Sequence, residues 1–333
     1  MDALLGQSVR AIRLNGDLLR TCSEEEIRRR LVRILGSNRF SVDFGEGALR
    51  ILGPDFQYHA ADPYLAEGLQ ALDLRHGDDM TKWRADRNGL AVCLEDCWSG
   101  WFLAEHLDRL PRGDRMVLIH LDDHTDMMPA RLTPTGEGLV DAITGRAFDP
   151  GKGSDWEASI ASGGVGIGSF LTPFFHSGRL IELRHLNNFR NCHYRRYNAV
   201  RAFDCHELLP DLPLAAVRKR PADWERSAGS YLGGSGPARV LASLPDGPVF
   251  VHIDLDYFIN DYNGNLGVNA RPPYLSTPMA VERLDAFFAA VARSGRRVER
   301  WIVATSPGFC SGRHWAWLLD EIARRAERLE QVH

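Results

Sequence analysis

Six side chains suited to holding a cation arrive in two short bursts: Asp122, His124 and Asp126, then His252, Asp254 and Asp256. Carboxylates mixed with imidazoles suit Mn, Fe, Zn or Co better than Ca, which prefers oxygen alone. The chemistry such a mixture supports is activation of water for hydrolysis. A single acidic residue after an apolar run often does no more than cap the next helix. Two clusters, each at the end of an apolar run, point further. Gathering that many acidic and imidazole groups in one buried place without a cation would be very costly.

The elements that must position these groups are two apolar stretches. Residues 116–121 (Met-Val-Leu-Ile-His-Leu) are too few for a helix and lack Gly and Pro, so they read as a buried strand. Side chains alternate along a strand, which places Leu118, His120 and Asp122 on one face. Pro248-Val-Phe-Val-His-Ile-Asp-Leu-Asp-Tyr-Phe258 repeats the pattern, with His252, Asp254 and Asp256 alternating. Two such strands side by side in a parallel sheet would bring both acidic clusters to one edge. That edge is where open α/β sheets bind ligands.

Asp122-Asp-His-Thr-Asp126 resembles the Asp-Ala-His-x-Asp motif of the ureohydrolase superfamily, which holds the arginases and agmatinases. His252-Ile-Asp-Leu-Asp-Tyr-Phe258 is similar to its Asp-x-Asp motif, and closer to the Asp-Ile-Asp-Leu-Asp-Phe-Phe form of a divergent branch that includes the peptide arginases. The resemblance spans about residues 90–320. It implies a three-layer α/β/α fold with a mainly parallel sheet, arginase/deacetylase-like, behind a small N-terminal α+β segment. It implies two Mn2+ ions, with Fe2+, Co2+ or Zn2+ as substitutes. Asp122 and Asp254 would bridge them, with His124 and Asp256 on one ion and Asp126 with a residue near Cys97 on the other. Asp126 would also orient the attacking water. The implied reaction turns a peptide arginine into ornithine and urea.

Three departures qualify that expectation. The strand Leu90–Leu94 ends in Glu95-Asp-Cys97, where the divergent branch resembles Glu-Asp-His. Cys97 could ligate as thiolate, Asp96 or His106 could fill in, or Cys97 could be a small core residue. The glutamate that grips a guanidinium in arginases falls near Gly308, although a buried guanidinium wants a bidentate carboxylate. Glu95, Asp96, Asp123 or Asp261 are the substitutes at hand, and His120, His252, Asp123 and Asp261 are assigned to substrate contact. No His lies between 125 and 175, so His176, after Phe170-Leu-Thr-Pro-Phe-Phe, becomes the candidate proton donor. Two other readings stay open: a metal-dependent amide deacetylase-like hydrolase, and a non-catalytic binding protein that keeps the fold.

The chain has 333 residues and a net charge of −4, which gives no electrostatic case for nucleic acid or an anionic membrane. No apolar run approaches the length of a membrane span. The start, Met1-Asp-Ala-Leu-Leu-Gly6, lacks the basic residues and apolar core of a signal peptide. With six scattered cysteines, a cytoplasm that keeps thiols reduced is expected. The expected partner is a peptide or small guanidino substrate.

Residues 1–88 read as a separate piece, with residues 89–333 as the hydrolase domain. Ser23-Glu-Glu-Glu26 is a capping box ahead of Ile27, Leu31, Ile34 and Leu35, and Gly36 is a stop. Phe40, Val42 and Phe44, then Leu49 and Ile51, alternate as a hairpin would. Such an extension could be a lid, a homo-oligomer contact or a peptide-recognition part. Residues 131–160 read as a long loop or small helices. Gly163–Gly168 lacks the Lys-Ser/Thr of a phosphate loop and reads as a tight loop beside the site. Cys192-His193 with Cys205-His206 offer zinc ligands at a poor spacing. Arg195-Arg196 and Arg218-Lys-Arg220 read as a solvated loop or a face for an acidic peptide. Helices are expected over 98–110, from Thr277 to Gly295, and over 312–330, with a strand over 300–305 between the last two.

Overall fold

The structure is a computed structural model that describes residues 10–36, 38–75, 80–111, 114–188, 194–223, 227–264 and 277–331. Its centre is a nine-stranded mixed sheet, mostly parallel, whose strands are numbered here in chain order. They are β1 (Arg84–Arg87), β2 (Leu90–Cys93), β3 (Met116–Leu121), β4 (Leu180–Leu186), β5 (Arg195–His206), β6 (Leu209–Arg220), β7 (Gly229–Gly234), β8 (Val249–Asp254) and β9 (Val298–Ala304). Across the sheet they run β6-β5-β7-β4-β3-β8-β9-β2-β1. The six from β7 to β2 are parallel, and β1, β5 and β6 are antiparallel additions at the edges.

The two strands that carry the motifs, β3 and β8, are neighbours at the middle of the sheet, in a register that pairs His120 with His252. Every residue of both is buried, as strands covered on both faces must be. Alternate residues feed two cores. Val117, Ile119, Val251 and Ile253 pack with the helices Thr277–Ser294 and Trp315–Glu330. Leu118, Phe250 and Ile302 pack with the helices Cys97–Arg109, Gly153–Ser162 and Thr172–Ser177. The expected helices and strands in these regions form within a few residues of their expected bounds. No helix among the described residues is long and apolar enough to cross a membrane.

The N-terminal helix and hairpin form as expected. Ser23 caps the helix Glu24–Leu35 through Glu26 N–H, and Asn38–Asp43 pairs antiparallel with Ala48–Pro54. The boundary expected at residue 88/89, however, cuts between two paired strands, because Arg87 of β1 lies opposite Leu90 of β2. Leu65, Leu69 and Leu72 join the main core. Residues 65–72 and 84–87 are therefore built into the main sheet and its packing, while Ile27, Leu31, Leu35, Leu49 and Ile51 of the helix and hairpin form a separate core.

Two stretches differ from the expected loops. Residues 132–148 form a three-stranded antiparallel meander, because Leu132, Leu139 and Phe148 each have apolar neighbours to bury against. Residues 195–220 form the long hairpin β5–β6. Its Pro210 and Pro213 sit on the outermost strand, where a missing N–H costs no ladder bond.

Candidate metal centre

The site begins where β3 and β8 end. Asp122 and Asp254 each turn the chain in the same way, by accepting a backbone N–H two residues on. Asp122 Oδ1 takes His124 N–H at 2.5 Å, and Asp254 Oδ1 takes Asp256 N–H at 3.1 Å. These turns aim His124 and Asp256 back over the sheet edge. The β3 chain then reaches Asp126, which is held in the left-handed region at φ 49°. Such a conformation costs free energy in a non-glycine residue and collects at functional sites. Ser306, beyond β9, does the same at φ 56°.

A cavity of about 410 Å³ opens above these strand ends. Glu95, Asp96, Asp122, Asp123, Asp126 and Asp254 line it, and among the described residues no lysine or arginine does. Met128, Ile167, Pro307 and Phe309 supply apolar side chains to the same lining. Burial, then the charges of neighbouring carboxylates, push Asp96, Asp122, Asp126 and Asp254 well above the ordinary aspartate range. Asp123 is pushed up to about 6 by the same two causes.

Ligand atoms converge in two sets that share Asp122. One is His120, Asp122, Asp126 and His252, all buried; the other is Asp122, His124 and Asp256. His124 Nδ1 lies 3.2 Å from an oxygen of Asp122 and 3.2 Å from one of Asp256. Burial alone would lower the His124 pKa, but its hydrogen bonds and charge contacts with Asp122 and Asp256 raise it strongly. Among the described residues, five buried polar atoms at or beneath the cavity have no hydrogen-bond partner: Asp96 Oδ1, His120 Nε2, Asp123 Oδ1, Asp126 Oδ2 and His252 Nε2. Buried polar atoms are ordinarily paired, so so many orphans in one place fit a missing shared partner. A cation is a partner that such a mixture of carboxylates and imidazoles could hold.

The expected residues are not all brought together. Asp254 lines the cavity but belongs to neither converging set. Cys97 begins the helix Cys97–Arg109 and packs with Trp98 and Phe102 in the core; burial and then the Asp96 charge push its thiol up, away from the thiolate a metal wants. Asp96 takes the cavity position instead, one oxygen accepting Gly168 N–H at 3.1 Å. The Gly163–Gly168 loop thus lies beside the site, as expected. His106 lies on the surface of its helix near Glu299 O. His176 does not reach the cavity: its Nε2 is 2.8 Å from Ala216 O of β6, under Phe203. Asp261 is buried and accepts Ser311 N–H at 3.3 Å, beside His314, so it ties two loops together. His120 and His252, expected at the substrate, lie fully buried beneath the carboxylates. Cys192 and His193 lie outside the described residues. Cys205 is exposed and His206 accepts Leu208 N–H; neither joins a converging set among the described residues.

Two features went unread in the sequence. His185 of β4 sits level with His120, so three imidazoles cross three adjacent strands. His185 Nε2 meets Asp122 O at 3.0 Å and its Nδ1 meets Tyr231 Oη at 2.7 Å. The alternation Leu183-Arg-His185 was the available signal. The other is Tyr58 and His59, which grip both oxygens of Glu95 at 2.6 and 2.5 Å. Gly308 is fixed by the same segment. It has φ 78°, and a Cβ there would lie 2.4 Å from Tyr58 O, so no glutamate fits. None of the protein-family models and none of the curated proteins compared with the chain matches it.

Proposed function

We propose that this protein is a metal-dependent hydrolase of C–N bonds, arginase/deacetylase-like in its layered fold, that acts on the guanidinium of arginine in a peptide to give ornithine and urea. One observation carries the reading: neighbouring parallel strands deliver Asp122 and Asp254 to a single buried cavity whose ligand atoms lack partners. Asp122, His124, Asp126 and Asp256 would hold the cations, with Asp96 and Asp254 alongside. Two Mn2+ ions are proposed, with Fe2+, Co2+ or Zn2+ as substitutes. A bound divalent cation supplies Lewis acidity that brings the pKa of water toward neutrality and offsets charge on a tetrahedral adduct.

The chain's own groups do the rest. Met128, Ile167, Pro307 and Phe309 add an apolar part to the cavity lining. A cavity lined by carboxylates and, among the described residues, by no lysine or arginine favours a cationic substrate group. Asp123, with one oxygen unpartnered, is placed to accept a guanidinium N–H, and Glu95, braced by Tyr58 and His59, is a second acceptor. A cytoplasmic location goes with this proposal. The test is to load the chain with MnCl2 and incubate it with an arginine-containing peptide and an acetyl-lysine peptide. Urea release with an ornithine product supports the proposal, and no urea from any arginine substrate overturns it. Acetate release would mark the second reading, amide hydrolysis. That reading is favoured by the three-ligand set Asp122, His124 and Asp256, complete in itself, and by the lack of a side chain at Gly308.

A further inference from the structure

We propose that His120 is a nitrogen ligand to a second, fully buried cation position, which it forms with Asp122 and Asp126, and that His252 is the positioning residue that sets its tautomer. This rests on the metal reading above and deepens it. In that reading the nitrogen ligand near Cys97 was missing. Here the imidazole comes from beneath the carboxylates, from the strand itself.

The geometry carries the assignment. His120 Nε2 lies 3.6 Å from Asp122 Oδ2 and 3.5 Å from Asp126 Oδ2. These distances are too long for good hydrogen bonds. Two ligand atoms each about 2.1 Å from a shared ion, at angles between 90° and tetrahedral, lie roughly 3.0–3.5 Å apart. His124 lies closer to its two carboxylates, at 3.2 Å and 3.2 Å, within that range. His120 and His252 are wholly inaccessible to solvent, and His120 Nε2 and Asp126 Oδ2 have no hydrogen-bond partner.

The tautomer follows from the contact behind. The two rings are stacked and their Nδ1 atoms are 2.8 Å apart. One Nδ1 must donate and the other accept. If His120 donates Nδ1–H, its Nε2 carries the bare lone pair that a cation needs. A ligating imidazole ordinarily gives its second N–H to such a partner, which fixes the ring. The two cation positions are then unequal. The buried one is closed by His120, Asp122 and Asp126. The other, with Asp122, Asp256 and a His124 whose side chain is 40% exposed, faces the cavity.

The test uses the full chain, freed of metal by chelation and titrated with MnCl2, with uptake read by elemental analysis and calorimetry. The expected result is two equivalents for the unmodified chain and one for His120→Gln. His252→Gln should keep both but weaken the buried one about 10–100-fold, as loss of an orienting partner does. His124→Gln should lose the open position and keep the buried one. Should His120→Gln fail to fold, pulsed EPR on Mn2+ in His124→Gln decides, because any histidine nitrogen coupling left there must come from below. Two equivalents at unchanged affinity in His120→Gln, or no such coupling in His124→Gln, would overturn the assignment while leaving the metal reading intact. An unmodified chain that takes up no cation at all would instead overturn the metal reading, and this inference with it.

Discussion

Strands β3 and β8 end in nearly the same residues, His-Leu-Asp and His-Ile-Asp, side by side and in register, yet their aspartates have different fates. Asp122 belongs to both sets of converging ligand atoms, and Asp254 belongs to neither. Both spend one oxygen on the backbone two residues ahead. The divergence comes afterwards. Beyond Asp122 the chain swings through the left-handed Asp126 and returns a second carboxylate to the same spot. Beyond Asp254 it enters a tight turn of 3-10 helix, Leu255–Tyr257, which carries only Asp256 toward Asp122. A repeated motif therefore does not make a symmetrical centre; the path of the chain after the strand decides which aspartate is shared.

The sharpest way to break this comparison is to remove each aspartate in turn. Asp122→Ala strips an oxygen ligand from both sets, so it should abolish cation uptake and lower hydrolysis by about 10³-fold or more, the loss of several kcal/mol of transition-state stabilisation. Asp254→Ala should keep at least one equivalent of cation. Elemental analysis of the two purified variants is the check. Equal and complete loss in both would restore the symmetrical, doubly bridging arrangement that the family resemblance implies.

Acidity sharpens the same contrast. The folded-state pKa values of Asp96, Asp122, Asp126 and Asp254 are raised, so the stability tied to their protons is fully present below about pH 4 and is lost as pH rises through the folded values. Asp123, at about 6, marks a point inside that window. A cation must displace these protons, so its affinity should climb with pH. Buried His185 and His252 act oppositely, at about 4 and about 3, and weaken the fold with or without cation as pH falls below about 6.5. The readout is therefore a difference: the rise in melting temperature on adding Mn2+ should be several degrees larger at pH 8 than at pH 5. A rise that shrinks with pH would contradict the carboxylate cluster as the binding element.

The centre of the sheet was legible because β3 and β8 are uniform apolar runs, and buried parallel strands leave that mark. Asp122, His124, Asp126 and Asp256 could be picked out because each lies within a few residues of a strand end. What the sequence hid was long-range. Tyr58 and His59 reach Glu95 from 37 and 36 residues upstream, on a short 3-10 turn with no periodicity to announce it. The hairpin β5–β6 was masked by its arginines and by two prolines, which the outermost strand tolerates. His176 follows an aromatic run that does reach the site, since Phe170 meets the rings of His120 and His252, but the helix after it turns His176 toward β5 and β6. Sequence distance from a motif says little once a strand and a helix intervene.

The N-terminal brace offers a smaller effect. Gly308→Ala places a methyl against Tyr58 O at a positive φ, and should cost about 1–3 kcal/mol in denaturant unfolding. Tyr58→Phe leaves one Glu95 oxygen with one donor fewer and should cost about 1–3 kcal/mol. Neither touches the converging ligand sets, so cation stoichiometry should hold in both. Loss of an equivalent in Tyr58→Phe would tie Glu95 to the metals rather than to substrate.

Cys97 gives the smallest expected change. It stands one residue from Asp96, which lines the cavity, but its own side chain packs with Trp98 and Phe102. Replacing it with Ala removes one buried sulfur from a core that relaxes little, at a cost of about 1 kcal/mol. Cation uptake should be unchanged, and Asp96→Asn should weaken it. The opposite ranking, with Cys97→Ala losing an equivalent of cation and Asp96→Asn losing none, would mean that the thiol turns inward when the cation binds. The nitrogen assigned to His120 would then no longer be needed to complete the buried position.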